Sequence, residues 1–369
     1  MDNDSTVFIG LDVHKDSIAV ARVGSASSDP VIDVATIGTQ QYAIDRMLAK
    51  LAGHGPLQFV YEAGPCGFWL QRYLTAKGQD CVVAAPSLIP RRPGDRIKTD
   101  TRDARNLALG LRAGTLTAVH VPGPEQEAFR DVVRAWQQSK RDVAKGKQRL
   151  KAFLLRNDLR YAGTAAWSAA HRRWLATLVL PSGAQQVVFQ ELVDTITERE
   201  ARRARLEAQM AELAPHWSGY PAAQALLAFR GVQQAVAYGV VAEAGDFARF
   251  SHPRRFMAWL GLVPSEHSSG GTRRQGGITK TGNRWARTLL VEAAWAYRHH
   301  PKVSAIIETR AQQIDPAIRA IAWKAQLRLT SKYRRMQARG KPHNLIVTAI
   351  ARELAGFLWD AARLANQTP

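Results

Sequence analysis

VFIGLDV (residues 7–13), followed by HKD and SIAVARVG (17–24), is the stretch on which the fold turns. The first segment is a short apolar run rich in β-branched residues and the second alternates, so both read as strands. A third run, VIDVATIG (31–38), completes a three-stranded meander. Moving outward, TQQYAIDRMLAKLAG (39–53) spaces Tyr42, Ile44, Met47, Leu48 and Leu51 close to helical periodicity. LQFVYEAG (57–64) returns to strand, GFWLQRYLTAKG (67–78) reads as a helix ending on Gly78, and DCVVAAP (80–86) as another strand. Asp103 to about Leu116 is helical again. The order is βββαβαβα, an antiparallel unit followed by βαβ connections that imply parallel neighbours.

Acidic residues fall at special places in this pattern. Asp12 sits inside the first apolar strand, Glu62 ends the fourth, and Asp100 and Asp103 lie three apart on one helix face. A carboxylate among Val, Phe, Ile and Leu is costly unless paired or bound to metal. Taken singly, Asp12 also suits a turn or edge and Asp100 an N-cap. Together, the four carboxylates read as a site for Mg²⁺, which prefers carboxylates, phosphate oxygens and water. Two such ions about 4 Å apart stabilise attacking and leaving oxygens at phosphorus.

The 369 residues have room for two or three domains, and 46% hydrophobic content with ten tryptophans supplies real cores. The formal net charge of +20 points to a polyanionic partner. No apolar run reaches about eighteen residues, so no membrane span is expected. MDNDSTVFIG goes straight into a strand pattern, with no signal peptide, and the expected compartment is the cytoplasm. Cys66 and Cys81 form no zinc pattern, and no disulfide is expected.

From Glu125 to about Arg160 there is no proline and one glycine, with ten Lys/Arg against three Asp between 130 and 160. A second helical run covers about 184–214 beyond Pro181-Ser182-Gly183. The two predict a long helical coiled-coil hairpin, basic enough to contact nucleic acid, although a solvated surface has the same composition. Trp136, Trp167 and Trp174 are read as packing residues. AAQALLAFRGVQQAVAYGVVAEAG (222–245) reads as helix, tight turn at Arg230-Gly231, helix: either a phosphate-binding hairpin or plain packing. SSGGTRRQGGITKTGN (268–283) then reads as a flexible basic loop, since glycine costs about 0.5–1 kcal/mol inside an element. Arg273, Arg274, Lys280 and Arg284 are its candidate nucleic-acid contacts, and KYRRMQARGK (332–341) is the densest basic run of the C-terminal region. His14, His267, His299, His300 and His343 show no ligand spacing. The first strands also suit actin-like and sugar kinases, but no repeated half or Walker pattern is present.

Asp12 in IGLDVHKDS, Glu62 in YEAGPCG, Asp100 and Asp103 in KTDTRDA, and LGLVPSEHSSGGTRRQGGITKTGNRWARTLLVEAAW together resemble the DEDD transposases of bacterial insertion sequences, the bridge-RNA-guided recombinases. The resemblance runs nearly end to end. It implies an α/β plus α architecture: a ribonuclease-H-like (RuvC-like) domain over 1–120, a helical coiled-coil region over 121–215, and a mostly α serine transposase domain over 216–369. It implies Mg²⁺ on Asp12, Glu62, Asp100 and Asp103, and a serine before the glycine that becomes linked to a 5′ phosphate of DNA. That serine is Ser269, with Ser268 the alternative because the doublet leaves the register open. It further implies a noncoding bridge RNA that pairs with element and target DNA, a composite site in a homo-oligomer (dimer to tetramer), and a nucleoid-associated location. Arg230-Gly231-Val232 departs from the proline-glycine of many relatives. A metal-dependent RuvC-like nuclease of the Holliday-junction resolvase type, with water as nucleophile, is the alternative, and a non-catalytic nucleic-acid-binding protein a third reading.

Overall fold

The computed structural model describes residues 6–90 and 99–367; the acidic residues 1–5 and Lys98 of KTDTRDA lie outside the described residues. The chain divides into two compact units, Met1–Val121 and Pro122–Pro369.

In the first unit, β1 (Val7–Val13), β2 (Ser17–Val23) and β3 (Ile32–Gly38) form the expected meander, followed by α1 (Gln41–Leu51), β4 (Leu57–Glu62), α2 (Trp69–Ala76), β5 (Asp80–Ala84) and α3 (Asp100–Arg112). The sheet order is β3-β2-β1-β4-β5, antiparallel across β1–β2–β3 and parallel across β1–β4–β5. This mixed sheet is compatible with a ribonuclease-H-like domain. Alternation along β1 decides the two faces. Val7, Ile9 and Leu11 pack with Ile44, Met47, Leu70 and Leu74 of α1 and α2. The opposite face carries Gly10 and Asp12, and there Ala19 and Ala21 of β2 meet Ala104 of α3. Small residues on this face let α3 lie close against the sheet. A Cβ at Gly10 would stand 2.6 Å from the Ala108 backbone nitrogen and closer still to the Ala104 carbonyl oxygen.

α3 begins three residues earlier than its apolar spacing predicts. Thr99, not Asp100, is its cap: the Thr99 hydroxyl accepts from the Arg102 backbone N–H. Its end at Arg112 precedes Gly114, which adopts a φ of 62°. Beyond it, the Val119 N–H donates to Val83 and the Ala85 N–H to Thr117, covering the edge of β5.

In the second unit, α4 (Pro124–Arg156) and α6 (Gly183–Leu213) flank the short α5 (Ala169–Thr177). Pro124 occupies the first turn of α4, where its missing N–H costs nothing. The long helices run antiparallel: Trp136 Nε1–H donates to Glu207 Oε1 at 2.9 Å, and the Arg199 guanidinium to the Asp142 carbonyl at 2.9 Å. Their near ends, including Phe129, Val133, Trp136 and Met210, join the main core. Their far ends close on a separate cluster of Leu150, Phe153, Leu175, Phe189 and Ile196. Trp136 is buried in the first cluster, and Trp167 and Trp174 pack against the second.

The main core is built from α7 (Tyr220–Leu226), α8 (Gln234–Ala244), α9 (Pro253–Trp259), α10 (Arg284–Ala294), α11 (Ala305–Ala311), α12 (Pro316–Ala338) and α13 (His343–Ala365). α8 is buried from Ala237 to Ala244, as a helix apolar on nearly every side must be, and its one buried charge, Glu243, is paired with Arg134. The turn before it is packing rather than an open phosphate cradle. Arg230 donates to the His300 carbonyl and, at 3.1 Å, to Gln326 Oε1, while Gly231 (φ 79°) presses on the Ala293 carbonyl.

SSGGTRRQGGITKTGN is not the irregular loop its glycines predict. β6 (Pro264–Glu266) and β7 (Gln275–Ile278) pair antiparallel across it. Two of the glycines, Gly276 and Gly277, lie inside β7, and a Cβ at Gly276 would stand 2.5 Å from Ser265 Oγ. Here glycine permits close strand contact rather than freedom.

Candidate active site

Two carboxylates of the first unit, Asp12 and Asp100, come together on the α3 face of the sheet. Gly10 admits α3 over β1, and its first turn then overhangs the end of that strand. His14 Nε2 lies 3.1 Å from Asp12 Oδ2 and 3.4 Å from Asp100 Oδ1. Asp12, His14 and Asp100 thus offer three ligand atoms within 4.8 Å of one another. Burial pushes the Asp12 carboxyl above the usual carboxylate range; His14 opposes this, and the charges of Asp103 and Asp100 add to it. Oxygen donors that destabilise one another's charge are relieved by a divalent cation, so this donor set fits one. DEDD transposases ordinarily use such a metal.

Glu62 is placed differently. Leu11 pairs with Tyr61, so Asp12 and Glu62 follow the last paired residues of adjacent parallel strands. The exposed Glu62 carboxylate is nevertheless outside the Asp12–His14–Asp100 group and takes no partner among the described residues. His14 corrects the reading of it as a histidine without ligand spacing. The legible signal was its position two residues after Asp12, since alternate residues of an extended chain share a face.

The serine hairpin belongs to the second unit. Ser269 bridges to Thr272, and the Thr272 N–H donates to the Ser269 carbonyl at 3.2 Å across Gly270, which has a φ of 56°. The Ser269 hydroxyl takes no hydrogen bond among the described residues. Ser268 is engaged: its Oγ–H donates to Glu266 Oε1 at 2.8 Å and its oxygen accepts the Arg274 N–H at 3.3 Å. Arg273 is already paired with Glu266 at 3.3 Å, whereas the Arg274 and Lys280 side chains are exposed without partners among the described residues. Arg284 stands over the Trp285 ring at 5.7 Å, which Arg141 of α4 also covers at 4.4 Å. His267 bonds through its backbone N–H to Arg274. Glu266, two residues before Ser268, is the second site residue that motif reading passed over.

The hairpin is anchored from below. The Lys280 N–H donates to Gly261, the Asn283 side chain accepts from Ala286 to cap α10, and Asn283 Nδ2–H donates to Glu243 Oε2 at 2.6 Å. Glu243, fully buried in its side chain, also takes both arms of Arg134, at 2.6 and 2.8 Å.

A family model for a DEDD transposase of the IS110 group matches residues 9–157, which contain Asp12, Glu62, Asp100 and Asp103. The model "Transposase IS116/IS110/IS902 family" matches residues 223–308, which contain the serine hairpin. The chain belongs to the IS110 family of transposases, DNA-acting enzymes of insertion sequences. It is 42% identical to the putative transposase y4qE of Sinorhizobium fredii (strain NBRC 101917 / NGR234) over 98% of this chain and 90% of that protein. It is 31% identical to the transposase for insertion sequence element IS1533 of Leptospira borgpetersenii, over 91% of this chain and 98% of that one. A probable family 20 transposase of Pseudomonas aeruginosa PAO1 is 31% identical over 95% and 98% of the two chains. Among the described residues, no helix is long and apolar enough to cross a membrane.

Proposed function

We propose that the chain cuts and rejoins the DNA of its element through a covalent 5′-phosphoserine intermediate at Ser269. The observation that carries this reading is the convergence of Asp12 and Asp100 on one point in the first unit of a transposase whose second unit displays a serine hydroxyl without a partner among the described residues. Asp12, Asp100, Asp103 and Glu62 would hold Mg²⁺, which when bound polarises a phosphate oxygen and stabilises a leaving one. The Ser269 oxygen forms a bond to phosphorus as the bond to the 3′ oxygen breaks. The serine gives its proton to solvent, and the 3′ oxygen takes one from solvent to leave as a hydroxyl. Attack by another 3′ hydroxyl reverses these steps and frees the serine, so rejoining needs no ATP. Arg274, Lys280 and Arg284 hold the DNA backbone against the hairpin, while Arg273 is held in turn by Glu266.

The net charge of +20 and the basic runs on α4 and α12 support a second polyanion, a noncoding RNA that pairs with element and target DNA. In a homo-oligomer, the serine and the carboxylates that act on one phosphate need not come from one copy.

Trapping the covalent adduct tests the reading. Denatured complexes should carry DNA on the protein, and Ser268→Ala/Ser269→Ala together should abolish both adduct and cleavage. Metal-dependent cleavage that survives loss of both serines would instead assign the attack to water.

A further inference from the structure

We propose that Glu266 is a positioning residue of this reaction: it ties down the Ser268 hydroxyl and leaves Ser269 as the serine presented to phosphate. The inference rests on the covalent-serine reading above and specifies which hydroxyl that reading uses.

Ser268 has both its proton and a lone pair engaged, the proton on Glu266 Oε1 at 2.8 Å and the lone pair on the Arg274 N–H at 3.3 Å. One lone pair is left, but with the other two positions fixed the hydroxyl cannot rotate to aim it at phosphorus, as attack requires. The neighbouring His267 N–H to Arg274 carbonyl bond, at 2.9 Å, holds the same rung of the hairpin. Glu266 is itself fixed from the other strand, with Arg273 at 3.3 Å and Gln275 Nε2 at 3.5 Å. Ser269, one residue on, falls at the turn, its hydroxyl without a partner among the described residues. Beside it a Cβ at Gly270 or Gly271 would meet nothing within 4 Å, which leaves room for a phosphodiester.

Glu266 is poorly suited to act as a base for Ser268. Ser268, Gln275 and Arg273 all bond to its charged form and hold its carboxyl below the usual glutamate range. A carboxylate so stabilised takes an alcohol proton reluctantly. The same contacts suit a clamp.

The test uses the full chain expressed with its own flanking DNA. Covalent adducts are isolated under denaturing conditions, quantified, and mapped by peptide mass spectrometry, with DNA affinity measured in parallel. Wild-type adduct should map to Ser269. Glu266→Gln keeps an acceptor for Ser268 and should stay within about threefold of wild type. Glu266→Ala should lower adduct yield roughly 10- to 100-fold at unchanged DNA affinity, with part of the remaining adduct on Ser268. Ser268→Ala should give a similar loss with adduct still on Ser269, and Glu266→Ala/Ser268→Ala should be no worse than either, because both remove one contact. Glu266 and Ser268 lie outside the main core, and an unchanged melting temperature checks that each variant folds. Wild-type adduct on Ser268, with Glu266→Gln as inactive as Glu266→Ala, would overturn the clamp and make Glu266 a base, leaving the covalent reading intact. Ser269 adduct indifferent to Glu266→Ala would overturn the clamp alone. Cleavage without any adduct would overturn the covalent reading, and the clamp with it.

Discussion

Gly10 of β1 lies directly beneath Ala104 of α3, so close that no side chain fits between them. This contact lets the first turn of α3 bring Asp100 to His14 and Asp12. Gly10→Ala should therefore lift α3 and separate the carboxylates. The expected cost is about 1–3 kcal/mol of stability, together with loss of the Mn²⁺-induced rise in melting temperature expected of the wild-type chain.

Asp12 is held in an environment that disfavours its charge, by burial and by Asp103 and Asp100. Asp12→Asn removes that charge while keeping an oxygen for His14. Without added metal, the variant should melt at a higher temperature than wild type at neutral pH. With metal the order should reverse, because only wild type gains stability from binding. Differential scanning calorimetry with and without MnCl₂ reads both.

Glu243 joins α4, α8 and the cap of α10 through Arg134 and Asn283. Removing one partner of a buried pair leaves the other charge unsatisfied. Glu243→Ala should destabilise the second unit by about 3 kcal/mol, the lower end for a buried pair because Arg134 remains 31% exposed. Glu243→Leu should do no better, since Arg134 stays charged. Urea unfolding followed by tryptophan fluorescence measures this.

Glu353 of α13 carries Lys332 at 2.8 Å and Arg328 at 3.3 Å from α12. Burial alone would raise its carboxyl, but the two cations outweigh it and the net shift is downward. A depressed folded-state carboxyl contributes stability above its unfolded value and loses it as pH falls through the folded one. The stability gap between wild type and Glu353→Gln should therefore be full at pH 7, begin to shrink near about pH 5, and close below the lowered folded value. Chemical unfolding across that range tests the sign.

Much of this protein was legible in its sequence because the signals were local. A short apolar run and the alternating segment after it placed β1 to β3 within a residue of their observed ends. Helical spacing found α1, α2, α4 and α6, but it ran α4 on to about Arg160 where the helix ends at Arg156, and it missed the cap that starts α3 after Thr99. The residues SSGG and GITKTGN marked the serine segment, yet glycine counting misjudged its conformation, because close strand pairing and chain freedom use the same residue.

The sequence by itself determined the strand meander, the position of each carboxylate along it, the basic charge and the serine doublet, all properties of neighbouring residues. Tertiary structure alone decided that His14 meets Asp100, that Arg230 turns inward to His300 and Gln326, that Arg134 closes on Glu243, and that the Ser268 hydroxyl is engaged while that of Ser269 has no partner among the described residues. These pairings depend on how closely α3 can approach β1 and on where a hairpin folds back. Such distances are set by excluded volume between segments far apart in the chain, a quantity no local pattern encodes.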